Sequence, residues 1–339
     1  MSDWKDFDPD DFPKAKSKGP RKESKRLLRE RRQPSNEHLQ GPYRVVMVTR
    51  GACEVELEDG SRLRAVVSRH FQEPFGEEPV CGDLAWIGRR PDGTPFLGAI
   101  DIRKSGLYRA ERSSPGGRRL LLANLDIVGI VVTVKEPPWL PGWVERCVIA
   151  AVAGNIEPIL IFQKTDLFAC PEQEFAPWVA PYREAGIPVV LTSARSGNGL
   201  SELQNLLRGK LTAFVGQSGV GKSSLLERLV PGAKVKIGEL SAAHRTGTHT
   251  TTRAELFRTP DGLALIDTPG IRSLDLSHLR IPEIAQGFPD FWKLRGACRF
   301  RDCTHRSEPG CAVVSLRESG QLREQRYQIY LRLLESATT

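Results

Sequence analysis

The 339-residue sequence predicts a multidomain chain: an N-terminal all-β barrel of the OB type, a central α/β domain built on a phosphate-binding loop, and a mostly helical, zinc-binding C-terminal module. Three observations predict this. Short β-runs separated by turn residues follow a basic N-terminal stretch. Apolar strands then alternate with helical segments, and one strand runs into Gly216-Gln-Ser-Gly-Val-Gly-Lys-Ser223. Beyond them, three cysteines and a histidine gather between Cys298 and Cys311. At roughly 100–200 residues per domain, the length allows two or three such units.

Composition narrows the class. With 40% hydrophobic and 27% charged residues the chain has ordinary globular usage, which excludes a wholly disordered or collagen-like protein. The strongest apolar run, 127–134, is far short of the ~20 residues that cross a bilayer. The start, MSDWKDFDPDDF, is acidic and has no apolar core, unlike a secretory signal. A soluble cytoplasmic protein with no membrane partner is expected. The net charge of +8 points instead to a polyanion. Seven cysteines without an export signal do not make a disulfide framework, and Cys53, Cys81, Cys147 and Cys170, set among apolar neighbours, read as buried thiols.

Residues 1–40 lack hydrophobic periodicity and carry Lys14, Lys16, Lys18, Arg21, Lys22, Lys25, Arg26, Arg29, Arg31 and Arg32, a solvated basic arm. The barrel is assigned to 41–105, with strands at 43–49, 53–57, 62–67, 84–88 and 96–102 between turns at Asp59-Gly60, Cys81-Gly82-Asp83 and Pro91-Asp92-Gly93. Residues 106–119, rich in arginine, glycine and serine, read as a linker. From 120 to 278, strands at 127–134, 158–162, 188–192, 211–215 and 263–266 alternate with helices near 144–153, 171–185, 200–207 and 222–229, the pattern of a mostly parallel, doubly covered sheet. The module 279–339 ends in a stretch, 313–334, whose apolar residues recur at helical spacing.

The phosphate loop has the context its chemistry requires, an apolar strand before it and an amphipathic helix after. Gly216, Gly219 and Gly221 let successive N–H groups converge on an anion, and the helix adds its positive end. Lys222 reaches the β and γ phosphates and the Ser223 hydroxyl ligates Mg²⁺. The phosphate-binding set is Val215, Gly216, Gln217, Ser218, Gly219, Val220, Gly221, Lys222, Ser223 and Ser224. In Asp267-Thr-Pro-Gly270 the aspartate ends a strand and can hold the magnesium through water, while Gly270 offers an N–H to the γ phosphate. Between the motifs lies Gly247-Thr-His-Thr-Thr-Thr-Arg253, where one of Thr250–Thr252, taken as Thr251, caps the magnesium from the other side.

Base choice is assigned to Gln163, Lys164, Thr165 and Asp166 at the end of an apolar strand. The Asp166 carboxylate can accept from guanine N1–H and the exocyclic amine, a pair that adenine lacks. The Lys164 stem can cover the base, and Ser193 and Ala194 end another strand where backbone donors meet the guanine oxygen. These resemble the N-K-x-D and S-A elements of GTPases, with Gln163 in place of asparagine, for which a longer, looser tether and modestly weaker guanine affinity are expected. In ordinary GTPases the base motifs come last. Here they precede the phosphate loop, which is a circular permutation, so the chain leaving Gly270 runs into the C-terminal module and switch movement gains a covalent lever on it. Cys298, Cys303, His305 and Cys311 supply three thiolates and an imidazole, a closed tetrahedral set suited to one structural Zn²⁺. Arg295, Arg299, Arg301 and Arg306 surround the cluster and suit RNA.

Together these features resemble the RsgA (YjeQ) family of small-ribosomal-subunit-dependent GTPases, on Ala123-Asn-Leu-Asp126, Gln163–Asp166, Gly216–Ser223, His249-Thr-Thr-Thr252, Asp267–Gly270 and the Cys/His set. The resemblance implies a monomeric GTP hydrolase using GTP/GDP with Mg²⁺, stimulated by the 30S subunit, bound to its 16S rRNA through barrel and zinc module, and acting in late subunit maturation. Ile271 follows the glycine where many GTPases carry a water-positioning glutamine, so slow intrinsic turnover is expected. The resemblance implies that His249 helps place the water, although a histidine that only stabilises the switch would leave the same sequence. A rival of another class is an RNA-binding assembly protein that senses GTP/GDP without needing turnover.

Overall fold

The computed structural model describes residues 39–67, 78–111, 117–232, 254–268 and 274–338. All of the predicted basic arm except its last two residues lies outside these. Five strands form the barrel: β1 (Gln40–Thr49), β2 (Ala52–Glu56), β3 (Arg62–Val66), β4 (Leu84–Arg89) and β5 (Pro95–Ile100). Antiparallel pairing joins β1 to β2 and β4, β2 to β3, and β4 to β5. A parallel contact of β3 with β5 closes the ring. Alternation drives this: Val45, Cys53, Val55, Ala65, Ala85, Ile87 and Leu97 point inward and fill the interior. Burial pushes the Cys53 thiol up to about 11, so it stays neutral.

The stretch read as a linker folds instead. β6 (Gly106–Ala110) and β7 (Arg118–Ala123) make an antiparallel hairpin. Its inner face buries Leu107, Leu120 and Leu122, while Arg118 lies over the Tyr108 ring at 4.2 Å. Arg109, Arg118 and Arg119 interrupt the apolar alternation, and the pairing of Leu107 with Leu122 brings the buried side chains together.

The central sheet contains β8 (Ile127–Val132), β9 (Glu157–Phe162), β10 (Val189–Leu191), β11 (Leu211–Val215), β12 (Glu255–Arg258) and β13 (Ala264–Asp267). Its order is β10-β9-β8-β11-β13-β12, continuing through β1 into the barrel. All neighbours run parallel except β12, which is antiparallel to β13. The four-residue β12, which the sequence pattern does not single out, is the edge that joins the barrel. Helices α1 (Pro141–Ala153), α2 (Pro171–Glu184), α3 (Leu200–Leu207) and α4 (Lys222–Leu229) follow successive strands. The apolar runs of β8 and β11 are wholly buried between these layers.

The C-terminal module holds α5 (Ile281–Gln286), α6 (Pro289–Lys293), α7 (Ala312–Glu318) and α8 (Glu324–Thr338). The helix expected over 313–334 is thus two helices. Gly320, at φ +73°, donates to the Arg317 carbonyl, and Gln321 to that of Leu316. That pair of bonds ends α7 in a left-handed cap that glycine adopts without strain. Arg326 of α8 is buried and donates to Glu145 of α1 at 2.6 Å and to both Asp290 carboxylate oxygens of α6 at 2.6 and 2.8 Å. Phe288, Phe291 and Tyr330 pack beside it at ring separations of 5.0–5.2 Å. Cys53, Cys81 and Cys147 are buried as expected, but Cys170 is exposed at the start of α2. Among the described residues no helix is long and apolar enough to cross a membrane.

Candidate functional site

The parallel strands β8, β9, β10, β11 and β13 end on one edge of the sheet, and that edge is where an open α/β sheet forms its binding crevice. Val215, at the end of β11, leads into the phosphate loop. At Gly216 a Cβ would lie 2.6 Å from the Val131 carbonyl oxygen, so only glycine fits beside β8. Gly221, at φ +96°, turns the chain into α4. Gln217, Ser218, Gly219 and Ser224 line the open side, while Val220 is buried beneath. The Lys222 ammonium curls over the loop and donates to the Gly216 and Gln217 carbonyls at 2.6 and 2.8 Å. Ser223 follows at the first turn of α4. Asp267 ends β13, and burial pushes its carboxyl up while Lys222 opposes the shift. Thr268 is fixed beneath by a hydroxyl bond to the Phe214 carbonyl. A glycine cradle, a cation and a half-buried carboxylate at one point fit a Mg²⁺-bound polyphosphate. His249, Thr251 and Gly270 lie outside the described residues, as does Ile271.

The base motifs stand beside this loop. Lys164 adopts the left-handed region, φ 65°, as the chain turns from β9 into the 3₁₀ turn Thr165–Leu167. Thr165 ties that turn to β10, its hydroxyl and N–H meeting the Thr192 carbonyl at 3.0 and 3.2 Å. Asp166 is exposed to the crevice, and one carboxylate oxygen accepts from the Ser193 hydroxyl at 2.6 Å. Gln163 is buried, and its side-chain oxygen accepts from the N–H groups of Lys164 at 2.8 Å and Ala194 at 3.0 Å. The extra methylene relative to asparagine sits against Gly221, where a Cβ would come within 3.1 Å of Gln163 Cγ. It therefore fills space between the base motif and the phosphate loop rather than slackening the tether. Gln163 Nε2 is buried and has no hydrogen-bond partner among the described residues.

The cysteine cluster is assembled as a four-ligand set. The candidate ligand atoms of Cys298, Cys303, His305 and Cys311 lie within 4.8 Å of one another. His305 Nδ1 stands 3.5, 3.5 and 3.4 Å from the three sulfurs. Around a tetrahedral zinc this separation would be about 3.6 Å, so the residues fit the ion. The surrounding chain is fixed by Tyr327 and Tyr330 from the helically spaced stretch 313–334 and by Glu308. Tyr327 donates to the carbonyls of His305 and Arg306, and Tyr330 to that of Thr304, each at 2.9 Å. The Glu308 carboxylate accepts from Thr304 N–H and hydroxyl, Arg306 N–H and Ser307 N–H. The i, i+3 spacing of the tyrosines was the available signal for their shared face.

The family model of the RsgA GTPase matches residues 100–277. A small ribosomal subunit biogenesis GTPase RsgA from Chromohalobacter salexigens is 41% identical over 302 residues, covering 88% of each chain. The chain belongs to the RsgA GTPase family. Another RsgA, from Pseudomonas fluorescens, is 35% identical across 92% of this chain and 98% of its own. Among solved structures, YjeQ from Thermotoga maritima superposes with a TM-score of 0.69 at 28% identity, covering 88% and 98% of the two chains. YloQ, a circularly permuted GTPase, gives 0.67 at 26% identity over 91% and 98%. As an RsgA GTPase the chain hydrolyses GTP and uses guanine nucleotide with Mg²⁺, and the permuted strand order is the one its motif order implied.

Proposed function

We propose that this RsgA GTPase acts in the cytoplasm as a monomer in late maturation of the small (30S) ribosomal subunit. The subunit stimulates its turnover, and barrel and zinc module contact 16S rRNA. The observation that carries the reading is the common edge of β9, β10, β11 and β13: a guanine-matched carboxylate and a phosphate loop encoded in reversed order face one crevice. The relatives named for small-subunit biogenesis support the partner, as does the net charge of +8. So do guanidinium–aromatic pairs around the knuckle. Arg295 lies over Trp292 at 4.5 Å and Arg299 over Phe300 at 5.5 Å, stacking surfaces of the kind unpaired bases use.

In this reading Asp166, oriented by Ser193, accepts from guanine N1–H and the exocyclic amine. Gln163 turns its unpaired Nε2 to an acceptor on the base, and Lys164 covers the ring. Lys222 leaves the loop carbonyls for the β and γ phosphates, while loop N–H groups hold the remaining oxygens. Ser223 and Thr251 would hold Mg²⁺ directly and Asp267 would hold it through water, and the bound ion would supply positive charge against that developing on the phosphates. Gly270 binds the γ phosphate and His249 places the attacking water. Cys298, Cys303, His305 and Cys311 hold one structural Zn²⁺.

The test is GTP turnover with added 30S, 50S and 70S particles. Selective stimulation by 30S is the expected result; no stimulation favours the GTP/GDP sensor that needs no turnover. Lys222→Ala should lower turnover by about 100-fold or more with the far-UV circular dichroism unchanged, because it removes a charge aimed at the transferring phosphate.

A further inference from the structure

The nucleotide crevice and the barrel share a strand. β12 lies between β13, whose last residue is Asp267, and β1 of the barrel. Its first residue, Glu255, stands directly opposite Asp267 on one side and Met47 on the other. Directly opposed residues of an antiparallel pair share a face with their Cβ atoms about 5 Å apart. The Glu255 carboxylate is met from the barrel: Arg62 Nη1 donates to it at 2.6 Å, and Nη2 donates to the Leu256 carbonyl at 3.0 Å. Farther along the seam Arg258 donates to Glu56 at 2.5 Å, but Arg258 is paired with Ala264 rather than Asp267. The two ties share one chemistry. Only the first ends on a carboxylate beside the crevice.

We propose that Arg62 is a positioning residue for GTP hydrolysis, reaching from the barrel through Glu255 to set the charge beside Asp267. With Arg62 in place the Glu255 charge is balanced at the seam. Without it a second, uncompensated carboxylate stands next to the one that holds Mg²⁺ through water. The proposal rests on that reading of Asp267, so its test must separate the two.

The experiment titrates Mg²⁺ against equilibrium binding of a fluorescent non-hydrolysable GTP analogue to the full chain, with turnover followed in parallel. Arg62→Gln should lower the half-saturating Mg²⁺ concentration by about three- to tenfold, the effect of one added charge at this range in a medium of intermediate dielectric. Glu255→Gln should raise it, the double variant should return close to wild type, and Arg62→Lys should follow wild type. Arg258→Gln and Glu56→Gln loosen the same seam and should leave it unmoved. If Arg62→Gln and Glu255→Gln move it in the same direction or not at all, or if Glu56→Gln moves it as far as Arg62→Gln, the tie is only structural and the proposal falls. Unchanged Mg²⁺ dependence in Asp267→Asn overturns the reading of Asp267 and the proposal with it. A shift in Asp267→Asn with none in Arg62→Gln overturns the proposal alone.

Discussion

On the barrel side the β12 edge of the central sheet meets β1 at the register of Met47 opposite Glu255 and through ion pairs whose side chains stay partly in water. Val46 and Cys81 of the barrel also join the main apolar core, and the Cys81 carbonyl accepts from Ala123 N–H. On the C-terminal side the sheet is held by a buried guanidinium, Arg326, shared between Glu145 and Asp290 and packed among Phe288, Phe291 and Tyr182. Solvent screens the barrel-side ion pairs, and such pairs contribute about 0–1 kcal/mol each. The buried guanidinium lies where breaking one partner strands a charge. The difference teaches that the zinc module is joined to the GTPase sheet through a buried charge, whereas the β1–β12 seam of the barrel is tied by exposed ion pairs that salt can loosen.

The largest effect should come from the metal, because the knuckle carries its fold on four ligands. Chelation of zinc, or Cys311→Ala, should unravel 298–311 and loosen α7, while α8 stays anchored through Arg326, since structural zinc contributes on the order of 10 kcal/mol to such small sites. One zinc per chain by elemental analysis, with loss of protease resistance confined to the C-terminal module, is the expected result. Loss of protection across the barrel as well would break the contrast between the two grips. Next comes Arg326→Ala, which leaves Glu145 buried without its cation and should cost about 3–5 kcal/mol in urea unfolding. Arg326→Met should cost less when combined with Glu145→Leu, because only the partly exposed Asp290 carboxylate is then left without its cation.

The sequence made some of this legible and hid the rest for identifiable reasons. Barrel strands, phosphate loop, base motifs and knuckle are local patterns, in which alternation or ligand spacing survives in a few consecutive residues. β6 and β7 were hidden because Arg109, Arg118 and Arg119 break the apolar alternation and lower the mean hydropathy, and Leu107 and Leu122 meet only through the strand pairing. β12 has only four residues, and its partners come from β1 and β13, distant in sequence. Gly320 broke a helix whose apolar spacing continued across the turn. Arg326, Glu145 and Asp290 are polar residues that meet only in the fold, 36 and 181 positions apart, and no periodicity announces them. In the candidate site the motif residues were legible, but not the packing of Gln163 on Gly221, which depends on a contact between β9 and the phosphate loop.

Glu308 sharpens the contrast on the rigid side. Despite the cost of burial, its bonds to Thr304, Arg306 and Ser307 hold its carboxyl at about 2, below the ordinary value of 4.5. A depressed acid contributes stability that is complete above its unfolded value and is lost as pH falls through the folded one. Glu308→Gln should therefore melt a few degrees lower than wild type near pH 7. The gap should hold down to about pH 4.5 and close as pH falls through about 2, where the carboxyl is neutral in the unfolded chain and half protonated in the folded one. Zinc held by the knuckle would leave both proteins on acidification, so the quantity to read is their difference at each pH. A gap that stays constant through pH 2 would mean that the carboxylate acts by shape alone.

The smallest effect belongs to the seam. Arg258→Gln and Glu56→Gln each remove one exposed tie and should cost less than about 1 kcal/mol, shrinking further as added salt screens the remaining charges. The informative quantity is local rather than global. Hydrogen exchange of the β1–β12 amides should accelerate in either variant, while amides of α8 beside Arg326 keep their protection. High salt should reproduce the acceleration in the wild type, because it acts on the exposed pairs and leaves the buried one unscreened. Equal acceleration at both places would mean that barrel and zinc module are held by one cooperative core, and the two kinds of attachment would then make no functional difference.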